Sequence, residues 1–169
     1  MEKEKEGSKS KKVMVAIDET ESSYRALIWV LENLKESISK SPLVIFAAQP
    51  LPNHVVSSAG IVGFGLLYCP LSPTAALIKR SQDLNRKVSL GLLEKAKSIC
   101  ASRGVAVETF TETGDPKETI WNMVQNYKID LLVMGDSAYG SLGRASLGSL
   151  SSYCLTNAKC HVLVVKKTE

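Results

Sequence analysis

The sequence predicts an α/β fold: an open, doubly wound parallel sheet of five strands with helices on both faces. Three observations carry this. Short apolar or β-branched runs recur at 13–17, 43–48, 105–110, 129–134 and 161–165. Apolar residues at spacings of three and four fill the stretches between most of them. Several runs are apolar without alternation, most plainly Leu131, Leu132, Val133 and Met134, as strands covered on both faces require. Alternating strands and helices close as a parallel sheet with right-handed crossovers. Ligands of such sheets sit beyond the carboxyl ends of the strands.

The chain has 169 residues, 44% of them hydrophobic, which suits one domain with a real core. Residues 1–11 alternate Lys and Glu with Ser and Gly, so a disordered charged tail is expected ahead of a single domain over 12–169. The tail has no apolar signal region and no run is long enough to span a membrane, so the expected location is cytoplasmic or nuclear, with no membrane partner. Net charge is +4 without an Arg-rich or aromatic-interleaved patch, which argues against nucleic acid as the main partner. The four cysteines, Cys69, Cys100, Cys154 and Cys160, form no C-x-x-C pair, and only His54 and His161 are available to join them. Reduced thiols and no zinc site are expected.

The first strand, 13–17, ends at Asp18. Glu19, Thr20, Glu21 and Ser22 then supply N-cap residues and early acids for a helix. Its stripe is Leu27, Leu31, Leu34 and Ile38, with Tyr24 and Val30 beside it and Trp29 off it. Pro42 precedes the second strand, 43–48. Residues 50–73 are rich in proline, glycine and serine and have no period, which marks a functional or mobile loop near the sheet's carboxyl end. Thr74 or Ser72 can cap the next helix, whose expected stripe is Leu77, Leu84, Val88, Leu92, Ala96 and Ile99, and Gly104 ends it. The third strand is expected at 105–110. Asp115, Pro116 and Glu118 then read as N-cap, first helical position and capping box for a helix with Ile120, Val124 and Tyr127 inward.

After the fourth strand, 129–134, the chain passes Gly135, Gly140 and Gly143 and reaches Gly148 and Ser149. There Leu150, Tyr153, Cys154 and Asn157 begin a helical pattern. A strand that turns through glycines into a helix N-terminus aims backbone N–H groups and positive dipole charge at one spot, a place suited to phosphate. A plain strand–loop–helix connection is the alternative. The last strand, 161–165, is short and apolar and is expected at a sheet edge, where it invites pairing with another chain.

The first strand with Asp18, the Gly114-Asp115-Pro116 corner and the segment from Val133 to Val165 resemble a universal stress protein of the plant single-domain type. Nucleotide-binding members of that family carry Gly, two residues, Gly, nine residues, then Gly with Ser or Thr. Gly135 and the pair Gly148-Ser149 match, whereas the middle position is Ala138 and the next residues after Gly135 are Asp136 and Ser137.

The resemblance implies strand order 3-2-1-4-5 and an adenine nucleotide, ATP or AMP, across the ends of the first, second and fourth strands. Ala16, Ile17 and Asp18 would lie near the adenosine, and Ala48 would offer its backbone to the adenine. Met134 and Gly135 would line the sugar side, and Ala138, Gly148, Ser149 and Leu150 would surround the phosphates. It also implies a homodimer through Val162, Leu163, Val164 and Val165.

Asp18 can accept from a ribose hydroxyl or hold a water of Mg²⁺, or else cap the following helix. Gly135 and Gly148 can admit close backbone approach or positive φ, or simply turn tightly. Ser149 can donate N–H and hydroxyl to a phosphate, or cap the last helix. Arg144 can screen phosphate charge, or be an isolated surface cation. The Ala138 methyl and the Asp136 carboxylate oppose phosphate, the acid by roughly 1–4 kcal/mol at ~4 Å. Reduced affinity is therefore expected.

Catalysis has little support, because no G-x-S-x-G elbow and no Walker lysine are present. The expected function is a homodimeric, nucleotide-binding stress-response module with further protein partners. An interaction or chaperone-like dimer with a vestigial pocket is the alternative, and slow ATP hydrolysis a third.

Overall fold

The first strand, β1 (Val13–Ile17), is buried along its whole length. Val13, Val15 and Ile17 face one core and Met14 and Ala16 the other, which explains a run without alternation. The computed structural model of the chain describes residues 10–51, 75–136 and 148–167. The first nine residues of the expected tail, nearly all of the 50–73 loop, and residues 137–147 with Ala138, Gly140, Gly143 and Arg144 lie outside them.

Beyond β1 come α1 (Glu21–Asn33), α2 (Lys35–Ser39), β2 (Leu43–Gln49), α3 (Ala75–Ser102), β3 (Val107–Thr113), α4 (Pro116–Asn126), β4 (Leu131–Gly135), α5 (Ser149–Asn157) and β5 (His161–Val165). The five strands form one parallel sheet in the order β3-β2-β1-β4-β5, the expected order. One face packs on α1, α2 and α3 through Leu27, Val30, Leu31, Ile38, Leu93 and Ala96. The other packs on α4 and α5 through Ile120, Met123, Val124 and Cys154. Each fully buried aliphatic side chain in these layers contributes roughly 1.5–3 kcal/mol.

Four expectations about local structure are corrected. The single helix expected through Ile38 breaks at Leu34, whose ψ of 27° leaves helical geometry, while the Asn33 side chain donates its Nδ2 to the Trp29 carbonyl at 2.9 Å. Ile38 is still buried because α2 restarts at once. Trp29, off the stripe, packs half-buried against the α1 core. On α3 the core line is Ser89, Leu93, Ala96 and Cys100, so of the expected stripe only Ala96 lies in it. Leu77, Leu84 and Val88 are 59%, 55% and 41% exposed, while Leu92 and Ile99 pack partly buried against the core, so only the first half of that stripe faces away from the sheet.

The strands expected from 105 and 129 begin later for one shared reason. Val105 N–H bonds Cys100 O at 3.0 Å, and Ile129 N–H bonds Val124 O at 3.0 Å, so both residues close the preceding helix. Neither is available to a ladder until two residues on. At Gly104 the left-handed position has φ +69°, but at α4 the equivalent residue is Lys128 with φ +51°. An L side chain there costs about 1–2 kcal/mol, offset in part by glycine's larger entropy when unfolded. Lys128→Gly is therefore expected to stabilise by roughly 0.5–1 kcal/mol. Urea denaturation should show a raised midpoint at constant slope, and an unchanged or lower midpoint would contradict this account.

Candidate functional site

The β1–β2 ladder ends at Ile17 opposite Ala47, so Ala48 stands one residue past the end of β1. Ala16, Ala48, Met134 and Leu150 belong to the same core layer, beneath α4 and α5. Ile17 points to the opposite face. The structure thus brings four of the sequence-derived site residues to one side of the sheet's carboxyl end and sends Ile17 to the other.

Asp18 organises the turn after β1. Its Oδ1 accepts from the Thr20 N–H at 2.8 Å and from the Thr20 hydroxyl. Ser23 Oγ accepts from the Asp18 N–H at 3.1 Å and donates to the Asp18 carbonyl at 3.0 Å. Thr20, not Asp18, is the N-cap of α1 and accepts from Ser23 N–H. The capping alternative for Asp18 is therefore replaced by a different structural task, bracing the turn that leads into the cap. Among the described residues no group of three or more His, Cys, Asp or Glu can hold a metal, so Asp18 has no ready set of co-ligands for Mg²⁺.

Gly135 has an unforeseen neighbour. A Cβ built there would run into the Ser22 carbonyl carbon and oxygen and lie 2.7 Å from Ser23 N. The first turn of α1 occupies the space a side chain would take, so close approach of a helix, rather than positive φ, requires this glycine. Two buried serines opposite are the small partners that make the approach feasible. Because α1 comes so near, Arg25 reaches Asp136, the next residue after Gly135. Arg25 Nη2 lies 3.9 Å from Asp136 Oδ1, and its Nη1 pairs with Glu21 at 2.9 Å. Sequence spacing gave no sign of Arg25, since its partner is far away in the chain.

At α5 the N-cap is Gly148, with φ −57°, so it too needs no left-handed conformation. It offers no side chain to the helix, and no side-chain cap bond is made. Ser149 is the first helical residue and is exposed, which removes its capping alternative. Backbone N–H groups of the first turn have no intrahelical acceptor and carry the positive end of the dipole. Ser151 Oγ bonds back to Gly148 O at 3.0 Å and fixes the turn.

A cavity of about 290 Å³ lies between α1 and α3, lined by Ile17, Asp18, Tyr24, Leu27, Lys95 and Ala96 among others. Lys95 Nζ stands 5.6 Å from the Tyr24 ring centre in its wall. This cavity gathers Ile17 and Asp18 but not Ala48, Met134, Gly135 or residues 148–150. An open depression of about 420 Å³ at the amino ends of β4 and β5 includes Asp130, Cys160 and exposed His161. Burial pushes the Cys100 and Cys154 thiols up to about 11 and raises that of Cys160, so none is a thiolate at neutral pH.

A sequence model of the universal stress protein family matches residues 9–166. The chain belongs to the universal stress protein family. A universal stress protein A-like protein of Arabidopsis thaliana is 29% identical over 170 residues, covering 95% of this chain and 93% of that one. Among solved structures, the universal stress protein UspA of Lactobacillus plantarum superposes with a TM-score of 0.68 at 18% identity, over 92% of this chain and 97% of that one. A family protein from Arabidopsis thaliana, solved with AMP bound, superposes with a TM-score of 0.63 at 24% identity, over 94% of this chain and 92% of that one. These likenesses establish the fold of this universal stress protein. No helix among its described residues is long and apolar enough to cross a membrane.

Proposed function

We propose that this universal stress protein binds an adenine nucleotide, ATP or AMP, and works in the cytosol or nucleus as a homodimeric stress-response module with protein partners. One observation carries the reading: α5 begins with no side-chain cap, and its first turn belongs to the same layer as Ala16, Ala48 and Met134. An anionic group there would satisfy amides that the chain leaves without an intrahelical acceptor. In this reading Ala16, Ile17 and Asp18 border the adenosine, Ala48 meets the adenine, and Met134 and Gly135 meet the sugar. Ala138, Gly148, Ser149 and Leu150 hold the phosphates. The AMP-bound Arabidopsis relative supports the ligand class. The dimer forms through β5, which among the described residues is a sheet edge bonded only to β4.

Titration calorimetry with ATP and AMP tests the ligand. Binding is expected, and Ala138→Gly should tighten it by about fivefold by removing a methyl from the phosphate side. No heat at millimolar ligand would overturn nucleotide binding. Binding that ignores Ala138→Gly would detach residue 138 from the phosphate site.

A further inference from the structure

The outer face of α3 carries a seam that the fold does not use. Leu84, Val88, Gly91 and Lys95 follow one another at spacings of four, three and four, the spacing by which one helix lies along another. All four are exposed, Leu84 by 55% and Val88 by 41%, whereas Ser89, Leu93 and Ala96 hold α3 to the sheet. Gly91 is the odd member. It stands inside a helix of 28 residues, where glycine costs stability relative to alanine. It has no positive φ, and a Cβ built on it would meet nothing within 4 Å beyond its own helix. Neither a turn nor a close approach among the described residues requires this glycine. It leaves a notch in the seam, open to a group from outside.

The charge along this seam has one sign. Arg80 and Lys87 lie one turn before and one turn after Leu84, both exposed and without an ion pair among the described residues. Lys95 ends the seam, its Nζ 5.6 Å from the centre of the Tyr24 ring, and Tyr24 is 45% exposed. At the helical turn per residue, Asp83 and Glu94 fall beside the seam rather than on it, and Glu94 pairs with Lys97 at 3.5 Å. We propose that this face of α3 docks an acidic amphipathic helix of a partner protein. The partner's apolar residues would lie on Leu84 and Val88, one of them in the notch at Gly91, with its Asp or Glu residues against Arg80, Lys87 and Lys95. A second copy of the chain fits poorly, because it would set the same three cations against themselves. An anionic bilayer fits poorly too. The cavity that Lys95 lines is also lined by Asp18, Glu19 and Glu21, which repel a lipid surface, whereas a helix can end short of them. α3 packs over β2 and β3, away from β5, so docking does not compete with β5 pairing. The inference rests on the proposed function only for the existence of a protein partner, and needs no nucleotide.

The test is fluorescence anisotropy on the full chain with a labelled synthetic helix of about three heptads, Leu at its seam positions and Glu beside them. A twin peptide carries Lys in place of Glu. The Glu peptide is expected to bind, and the Lys peptide to bind at least about tenfold more weakly. Leu84→Gln should weaken the Glu peptide by about tenfold. Lys87→Glu should weaken it as well, by a factor that shrinks in high salt. Gly91→Gln separates a docking notch from a structural glycine. Glutamine is the better helix former, so Tm should rise by about 2 °C while the Glu peptide binds about tenfold more weakly. A lower Tm in Gly91→Gln, or binding that ignores either Leu84→Gln or Gly91→Gln, overturns the proposal. So does a wild type that binds neither peptide or both equally. Preferential binding to phosphatidylserine vesicles that Leu84→Gln weakens would replace the partner helix by a lipid surface, and a dimer lost in Leu84→Gln would replace it by a second copy. Each of these failures leaves ATP binding, measured separately by calorimetry, where it stands.

Discussion

Gly135→Ala is expected to destabilise the protein by about 3 kcal/mol or more, near the upper end for a single added methyl. Most overpacked sites relax by turning a side chain. Here the obstacle is backbone, the Ser22 carbonyl and the Ser23 nitrogen, so relief requires the whole first turn of α1 to move off β4. That turn is tied down by Thr20, Ser23 and Asp18 through the bonds that close the β1 corner. Moving it would also part Arg25 from Asp136. The expected readout is a fall in Tm of roughly 6–12 °C, or recovery only as insoluble protein. A soluble variant with unchanged unfolding would show that α1 does not sit this close.

Val164→Pro is expected to separate the proposed dimer into folded monomers. The Val165 carbonyl and the His161 N–H both bond toward β4. In a strand the backbone groups of alternate residues point to opposite edges, so those of Val162 and Val164 point away from the sheet. A proline at 164 removes a donor on the free edge and leaves the β4 ladder whole. Two such losses across a twofold axis, plus the ring's bulk, amount to about 2–3 kcal/mol, or about a hundredfold in dissociation constant. Leu163→Pro, whose N–H faces β4, should unfold the edge instead. Light scattering after size exclusion distinguishes the cases. A dimer that persists unchanged in Val164→Pro would remove β5 pairing as its basis, and a monomeric wild type would remove the dimer itself.

Much of the architecture was legible because it rests on local rules. Val13–Ile17 and residues 43–48 are continuous apolar runs, as strands covered on both faces require. Asp115 and Pro116 mark the start of α4, and the Asp115 carboxylate does accept from Lys117 N–H at 2.8 Å. Gly104 marks the end of α3. The legible part failed where two rules compete for one residue. Val105 and Ile129 look like strand openings and serve as helix closures, because a six-residue closing bond claims their N–H groups first. The stripe on α3 was misplaced because Leu77, Leu84 and Val88 share a face with Ile99 but not with Leu93.

The sequence by itself determined the class of the fold, the bounds of β1 and β5, and, through the resemblance, the order 3-2-1-4-5, whereas β3 runs on to Thr113, three residues past its expected end. Those follow from periodicity, caps and motif spacing, which are properties of neighbouring residues. Only the tertiary structure decided that the space beside Gly135 is filled by α1, that Ile17 faces away from Ala16, Ala48 and Met134, and that Asp136 meets Arg25. These depend on how two distant segments pack against one sheet, and no local spacing encodes the separation between a helix backbone and a strand end.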